Sequence, residues 1–126
     1  MAISISTKAA PAAIGPYSQA IQVGNTVYLS GQIALDPDSG KLVAGGFEKE
    51  VHRAIRNMKA VIEASGGNLG QCVRLTLYLT DLGNFPKANE IMQEYFRAPY
   101  PARSTIGVAS LPRGAAFEIE ATVVLE

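Results

Sequence analysis

From Phe117 to Leu125 the chain alternates: Phe117, Ile119, Ala121, Val123 and Leu125 are apolar or small, whereas Glu118, Glu120 and Thr122 occupy the positions between them. Successive side chains of a strand point to opposite faces, so this run reads as a strand with one core face and one face bearing two carboxylates. Val124 makes that second face partly apolar. Carboxylates on the inner part of a strand are costly unless they are paired or used. Arg103, at the mouth of the short strand-like run that precedes, supplies a candidate anion site. Any fold for this chain must bury one face of the final strand and give the other a purpose.

The remaining segments supply the elements around that strand. Residues 2–7 alternate weakly and fit a marginal edge strand. AIQV, GN and TVYLSG read as a hairpin with a primed turn at Gly24-Asn25. DPDSGK is a turn; its acidic residues lack the spacing and terminal carboxylate of a calcium loop. Between Phe47 and Ala64 the period changes to helical, with a stripe of Phe47, Val51, Ile55, Met58 and Ile62 widened by Ala54 and Val61. Ser65-Gly66-Gly67 stops that helix. In CVRLTLYLTD, Val73, Leu75, Leu77 and Leu79 share one face, and Arg74, Thr76 and Tyr78 the other. A second helix is expected over Phe85–Phe96, opened by Asn84 with Pro86 in its first turn. The order is β-β-β-α-β-α-β-β, an α+β sandwich with both helices on one side of the sheet. Its other side would carry Tyr28, Ser30, Arg74, Tyr78, Glu118, Glu120 and Val124, a mixed face best covered by another subunit.

Composition narrows the chemistry. Eleven basic and eleven acidic side chains leave no net charge and no basic tract, which argues against a nucleic-acid surface. So weakly charged a surface favours self-association. The 126 residues fit one domain, 1–126. Cys72 is the only cysteine and His52 the only histidine, so there is no intrachain disulfide and a poor metal-ligand set. His52 sits beside Arg53 and Arg56 with no nucleophile near it in sequence and reads as a surface residue. A Ser-His-Asp hydrolase is disfavoured accordingly, and Ser30 has no positioned base to activate it. No membrane-spanning run or signal-peptide pattern occurs, and the cytoplasm is the expected location.

Four short motifs in order, Gly15-Pro16-Tyr17-Ser18-Gln19-Ala20, Ser30-Gly31-Gln32, Pro101-Ala102-Arg103-Ser104 and Glu118-Ile119-Glu120-Ala121, together with Tyr78-Leu79-Thr80-Asp81, closely resemble the RidA (YjgF) family of reactive intermediate deaminases. The resemblance spans nearly the whole chain. It implies a Bacillus-chorismate-mutase-like (YjgF-like) fold with a mixed six-stranded sheet, assembled as a homotrimer with clefts between subunits. In that topology the last strand inserts between the strands matching 26–31 and 71–79, although local pairing alone would make a hairpin of 104–109 and 117–125. The implied reaction is hydrolysis of a 2-imino acid (2-iminobutanoate, 2-iminopropanoate), or its enamine tautomer, to a 2-oxo acid and ammonia.

By this resemblance Arg103 holds the substrate carboxylate and Glu118 orients the attacking water and exchanges protons with it. Tyr17, Ser30, Gly31 and Asn89 line the cleft, and the backbone at Thr105 faces the substrate nitrogen. Neither metal nor organic cofactor is required, because the imine carbon is already electrophilic. Thr105 departs from the cysteine many members carry there, which puts thiol-dependent activities at that position in doubt. The short segment 97–100 bears on cleft access. Glu120 reads instead as a structural carboxylate paired with Arg74. The rival function is a non-catalytic trimeric module that binds small carboxylates or regulates a partner through the same clefts; a ribonuclease role has weaker support.

Overall fold

The computed structural model describes all 126 residues. Six strands and two helices follow one another as β1 (Ile3–Ile5), β2 (Ala20–Val23), β3 (Thr26–Leu29), α1 (Phe47–Ala64), β4 (Cys72–Leu79), α2 (Phe85–Tyr95), β5 (Ala102–Gly107) and β6 (Phe117–Val124). They form one sheet in the order β1-β2-β3-β6-β4-β5. All neighbours are antiparallel except β4 and β5, which are parallel. The final strand therefore lies between β3 and β4, as the family topology requires, and not in a hairpin with β5. Its alternation explains the position: Phe117, Ile119, Ala121 and Val123 are all buried, so it fits mid-sheet under the helices.

Helix α1 packs the stripe of Val51, Ala54, Ile55, Met58, Val61 and Ile62 against the sheet, each fully buried. It stops where expected. Gly66 has φ +91°, a conformation glycine adopts without strain. The amides of Gly66 and Gly67 bond back to Glu63 O at 3.0 Å and Ile62 O at 3.1 Å, which satisfies carbonyls left free at the helix end. In the β2–β3 hairpin only Gly24, the first central residue, has positive φ (+59°), so the primed turn is of the II′ kind. Ala88, Ile91 and Met92 of α2, and Phe96 just beyond it, complete the core.

Three expectations are corrected. Cys72 pairs with Val123 and Arg74 with Thr122, so Val73 is the extra residue of a β-bulge. It is 46% exposed instead of sharing the core face with Leu75, Leu77 and Leu79. His52 is half-buried, its Nδ1 hydrogen-bonded to Tyr95 Oη at 2.6 Å, and so ties α1 to α2. Arg74 forms no ion pair with Glu120; its guanidinium donates to Ser104 Oγ at 3.1 Å. Glu120 on β6 and Ser104 on β5 both stand opposite Thr76, one diagonal step from Arg74, and the guanidinium turns to the β5 side.

The bulge brings Cys72 into the core, where burial pushes its thiol up to about 12. Leu77→Ala should cost about 2–5 kcal/mol, the range for an apolar truncation that leaves a cavity. Val73→Ala should stay within about 0.5 kcal/mol, as for exposed positions. Urea denaturation at fixed chain concentration checks both, and equal losses would mean that Val73 is buried after all.

Candidate active site

Residues paired across a ladder project to the same face of the sheet, and this sorts the charged residues. Glu118 of β6 stands opposite Tyr78 of β4, and Glu120 opposite Thr76, on the face away from the helices. Arg103 and Thr105 of β5 stand opposite Leu75 and Leu77, whose side chains are buried beneath the helices. Arg103 and Glu118 of one chain therefore lie on opposite faces. They border two separate pockets.

The first pocket is built around Glu118. Beyond Leu29 the chain continues alongside β6, where the amide of Gln32 bonds Ile119 O at 2.8 Å and the amide of Ile119 bonds Gln32 O at 3.0 Å. That bridge sets Gly31 beside the Glu118 side chain. A Cβ at Gly31 would overlap the carboxylate and come within 2.9 Å of its Cδ, so the absent side chain is the space the carboxylate occupies. Ser30 Oγ donates to Ser18 O at 2.6 Å, which commits the hydroxyl to the backbone and braces the loop bearing Tyr17. Tyr17, 52% exposed, lines this pocket of about 590 Å³ with Ser30, Gly31 and Glu118. Burial, and secondarily the Glu120 carboxylate, hold Glu118 above the ordinary carboxylate range. Tyr78 is likewise raised, by burial first and then by the charges of Glu120 and Glu118.

The second pocket, about 500 Å³, lies between α2 and the edge strand β5. Asn89, Gln93 and Arg103 are its polar groups, and Leu75, Met92, Phe96 and Tyr100 form much of its apolar wall. The Arg103 guanidinium sits 5.4 Å above the Phe85 ring, a cation–π contact that holds the exposed side chain without using its hydrogen-bond donors. Thr105 Oγ1 is buried with no hydrogen-bond partner. Because β5 is an edge strand, its outward backbone groups have no sheet partner within this chain.

Neither pocket holds both residues. The Arg103 pocket has an anion clamp and no carboxylate, whereas the Glu118 pocket has as its cation Arg113, which donates to Gly40 O at 3.2 Å. The family model described as Endoribonuclease L-PSP matches residues 7–125. A 2-iminobutanoate/2-iminopropanoate deaminase of Dermatophagoides farinae is 51% identical over 97% of this chain and 95% of its own length. The chain belongs to the RidA (YjgF) family. Among solved structures, RidA from an Antarctic Psychrobacter superposes with a TM-score of 0.94 at 44% identity, covering 98% of this chain and 99% of that one. E. coli TdcF, crystallised with bound serine, gives a TM-score of 0.93 at 37% identity over 98% and 99%.

Beside these residues, the RidA-family chain contains buried polar groups that the sequence reading passed over. Gln19, 4% exposed, accepts from the Thr7 amide at 2.7 Å and donates to Thr7 O and Pro11 O at 3.1 and 2.8 Å, pinning the N-terminal loop. Asn57, fully buried on α1, donates to Ile33 O at 3.1 Å and Leu35 O at 2.9 Å, just past Gly31. For Asn57 the signal is phase: it lies seven residues after Glu50, and both fall on the buried side of α1. No group of three or more His, Cys, Asp and Glu side chains lies together as metal ligands.

A carboxyl whose pKa is raised on folding favours the folded state most when protonated. Stability then falls as pH rises from the unfolded value, 4.5, through the folded one. Glu118→Gln should therefore be more stable than wild type near neutral pH, with the advantage vanishing below 4.5. Urea midpoints across pH measure it, and a neutral-pH loss would contradict this account of the site. Gly31→Ala should turn the carboxylate outward and bring its pKa, read by carbon NMR, back toward 4.5.

Proposed function

We propose that this chain is a 2-iminobutanoate/2-iminopropanoate deaminase that works as a homotrimer of single domains spanning 1–126. Each active site is built from the Arg103 half of one subunit and the Glu118 half of the next. The observation that carries the reading is the separation of these residues onto opposite sheet faces, which keeps Arg103 and Glu118 of one chain in different pockets until a second copy brings the two together. The mixed face bearing Tyr28, 53% exposed, with half-buried Tyr78, Glu118, Glu120 and Val124, is the surface such a copy would cover. The serine bound to the E. coli relative is a small α-carboxylate, the kind of ligand an arginine clamp accepts.

In this mechanism the Arg103 guanidinium binds the substrate carboxylate through paired N–H donors, and Asn89 and the Thr105 backbone orient the imine end. Glu118 of the neighbour accepts a proton from water as its oxygen attacks the C=N carbon. That proton passes to the imine nitrogen to give a carbinolamine, whose hydroxyl proton then moves by way of the Glu118 carboxylate to the nitrogen, so that the C–N bond breaks, ammonia leaves and the 2-oxo acid remains. A carboxyl held above its usual range is better suited to give the proton back than an ordinary glutamate. Tyr17 closes one wall, and Ser30 acts through the backbone it braces. Since no group forms a covalent bond to the substrate, Thr105 in place of cysteine leaves this chemistry intact. A cytoplasmic role in clearing imines released by amino-acid-eliminating enzymes follows from that substrate class. No helix is long and apolar enough to cross a membrane.

A nucleolytic role, raised by the family model's description, is disfavoured by the balanced charge, which gives no net positive charge to attract phosphates. A carboxylate-binding module would use Arg103 without needing Glu118, and this separates it from an enzyme.

Arg103→Ala and Glu118→Gln should each slow ammonia release from freshly generated iminopropanoate, the latter by about 10²–10⁴-fold in the catalysed component. Unfolded together in equal amounts and refolded, the two should recover about a quarter of wild-type activity, since that fraction of clefts in random trimers pairs an intact Arg103 with an intact Glu118. Light scattering should report three chains per particle. No recovery from the mixture would put the site within one chain, and no wild-type acceleration would favour the binding module.

A further inference from the structure

The carboxylate of Glu50 is buried, uses no counter-ion, and takes no part in the chemistry above. It lies in the first turn of α1, 9% exposed, and its Oε1 accepts a hydrogen bond of 2.9 Å from the amide of Ala116. Ala116 is the residue just before β6, two positions upstream of Glu118. Neither salt bridge in the chain involves Glu50. A buried carboxylate spent on one backbone amide far away in sequence needs a reason, since a core position in α1 would normally be apolar.

The surroundings supply the reason. Four contacts fix the backbone on either side of Glu118. Upstream, the Ala116 amide is held by Glu50, and the Ala116 carbonyl accepts from the Thr80 amide at 3.3 Å. Downstream, the amide and carbonyl of Ile119 are both bonded to Gln32. Phe117 is wedged edge-on against Phe47, with ring centroids 6.0 Å apart, so the start of α1 grips both Ala116 and the first residue of β6. Glu50 is the one side chain among the four polar anchors. The carboxylate of Glu118 fits only because it lies in the gap left by Gly31. A small shift of residues 116–117 would drive it against the 30–32 backbone or out of the pocket.

We infer that Glu50 is a positioning residue for the reaction: its carboxylate, anchored in α1, sets the height of the start of β6 and thereby the seat of Glu118 against Gly31. The inference rests on the deaminase reading of Glu118 given above. An ionised acceptor makes a shorter, stiffer bond to an amide than a neutral one, while the distance depends on side-chain length. Glutamine retains an acceptor at the same reach; aspartate retains the charge but is one methylene too short; methionine fills the space with no acceptor.

The test compares Glu50→Gln, Glu50→Asp and Glu50→Met for turnover of 2-iminopropanoate, after confirming equal assembly at the assay temperature, with melting temperature recorded alongside. Glu50→Asp and Glu50→Met should lower kcat by on the order of 10- to 100-fold, the scale of a sub-ångström to ångström misplacement of a catalytic group. KM should change little, because the Arg103 half-site is untouched. Glu50→Gln should retain kcat within about threefold, on the same geometric argument. A purely structural role would lower melting temperature without that split between kcat and KM. Wild-type kcat in Glu50→Asp, or a Glu50→Gln as slow as Glu50→Met, would overturn the assignment. Amide exchange at Ala116 in the wild-type protein gives a reading independent of both variant folding and activity: slow exchange is expected, and fast exchange also overturns it. If wild type fails to accelerate imine hydrolysis, the deaminase reading falls, and the Ala116 exchange still reports on the Glu50 bond.

Discussion

The register in which β6 is locked between β3 and β4 decides what every polar residue of this chain can do. A shift of one residue would exchange the faces, sending Glu118 and Glu120 under the helices and Phe117, Ile119 and Val123 to the open side. Buried charge without partners and exposed apolar surface make that alternative unfavourable twice over. The same period holds β5 in place through its parallel ladder with β4, and with it Arg103 on the helix side. The split of the candidate site between two faces is thus a consequence of sheet geometry. Assembly is the simplest way to bring such residues together.

Much of this was legible in the residue pattern, and the exceptions have physical causes. The bounds of α1 could be read because a sustained apolar stripe ends at Ser65-Gly66-Gly67, where the chain needs a positive φ. The alternation of β6 was equally plain. Its neighbours were not, because pairing with β3 and β4 is non-local, and nearness in sequence suggested β5; only the family resemblance indicated the insertion. Val73 was misassigned because a bulge adds one residue without altering composition, and an apolar side chain on either side of it looks the same. That resemblance brought Arg103, Asn89, Glu118 and Tyr17 together as one cleft. Their distribution over two faces became evident only with the registers in hand.

Glu118 illustrates how function and stability pull apart in this fold. It is half-buried near another carboxylate on the same strand face, an arrangement that a sequence selected for stability alone would avoid. The surrounding structure compensates through uncharged means: a missing side chain at Gly31, backbone bonds at Gln32 and Ile119, and aromatic packing at Phe117. Ser30 belongs to the same scheme, since its hydroxyl is engaged by Ser18 O and is a brace, not a nucleophile.

The bulge at Val73 has a practical corollary. By turning Cys72 inward it hides the chain's single thiol in the core, protonated across the physiological range. Alkylating reagents require a thiolate they can reach, so the folded protein presents them with almost nothing. Modification of Cys72 then proceeds at the pace at which the centre of the sheet opens, and mass spectrometry of the alkylated fraction becomes a clock for that opening. A cysteine introduced anywhere on the surface would, for the same reason, be the only site to take a fluorophore, with no native residue to remove first.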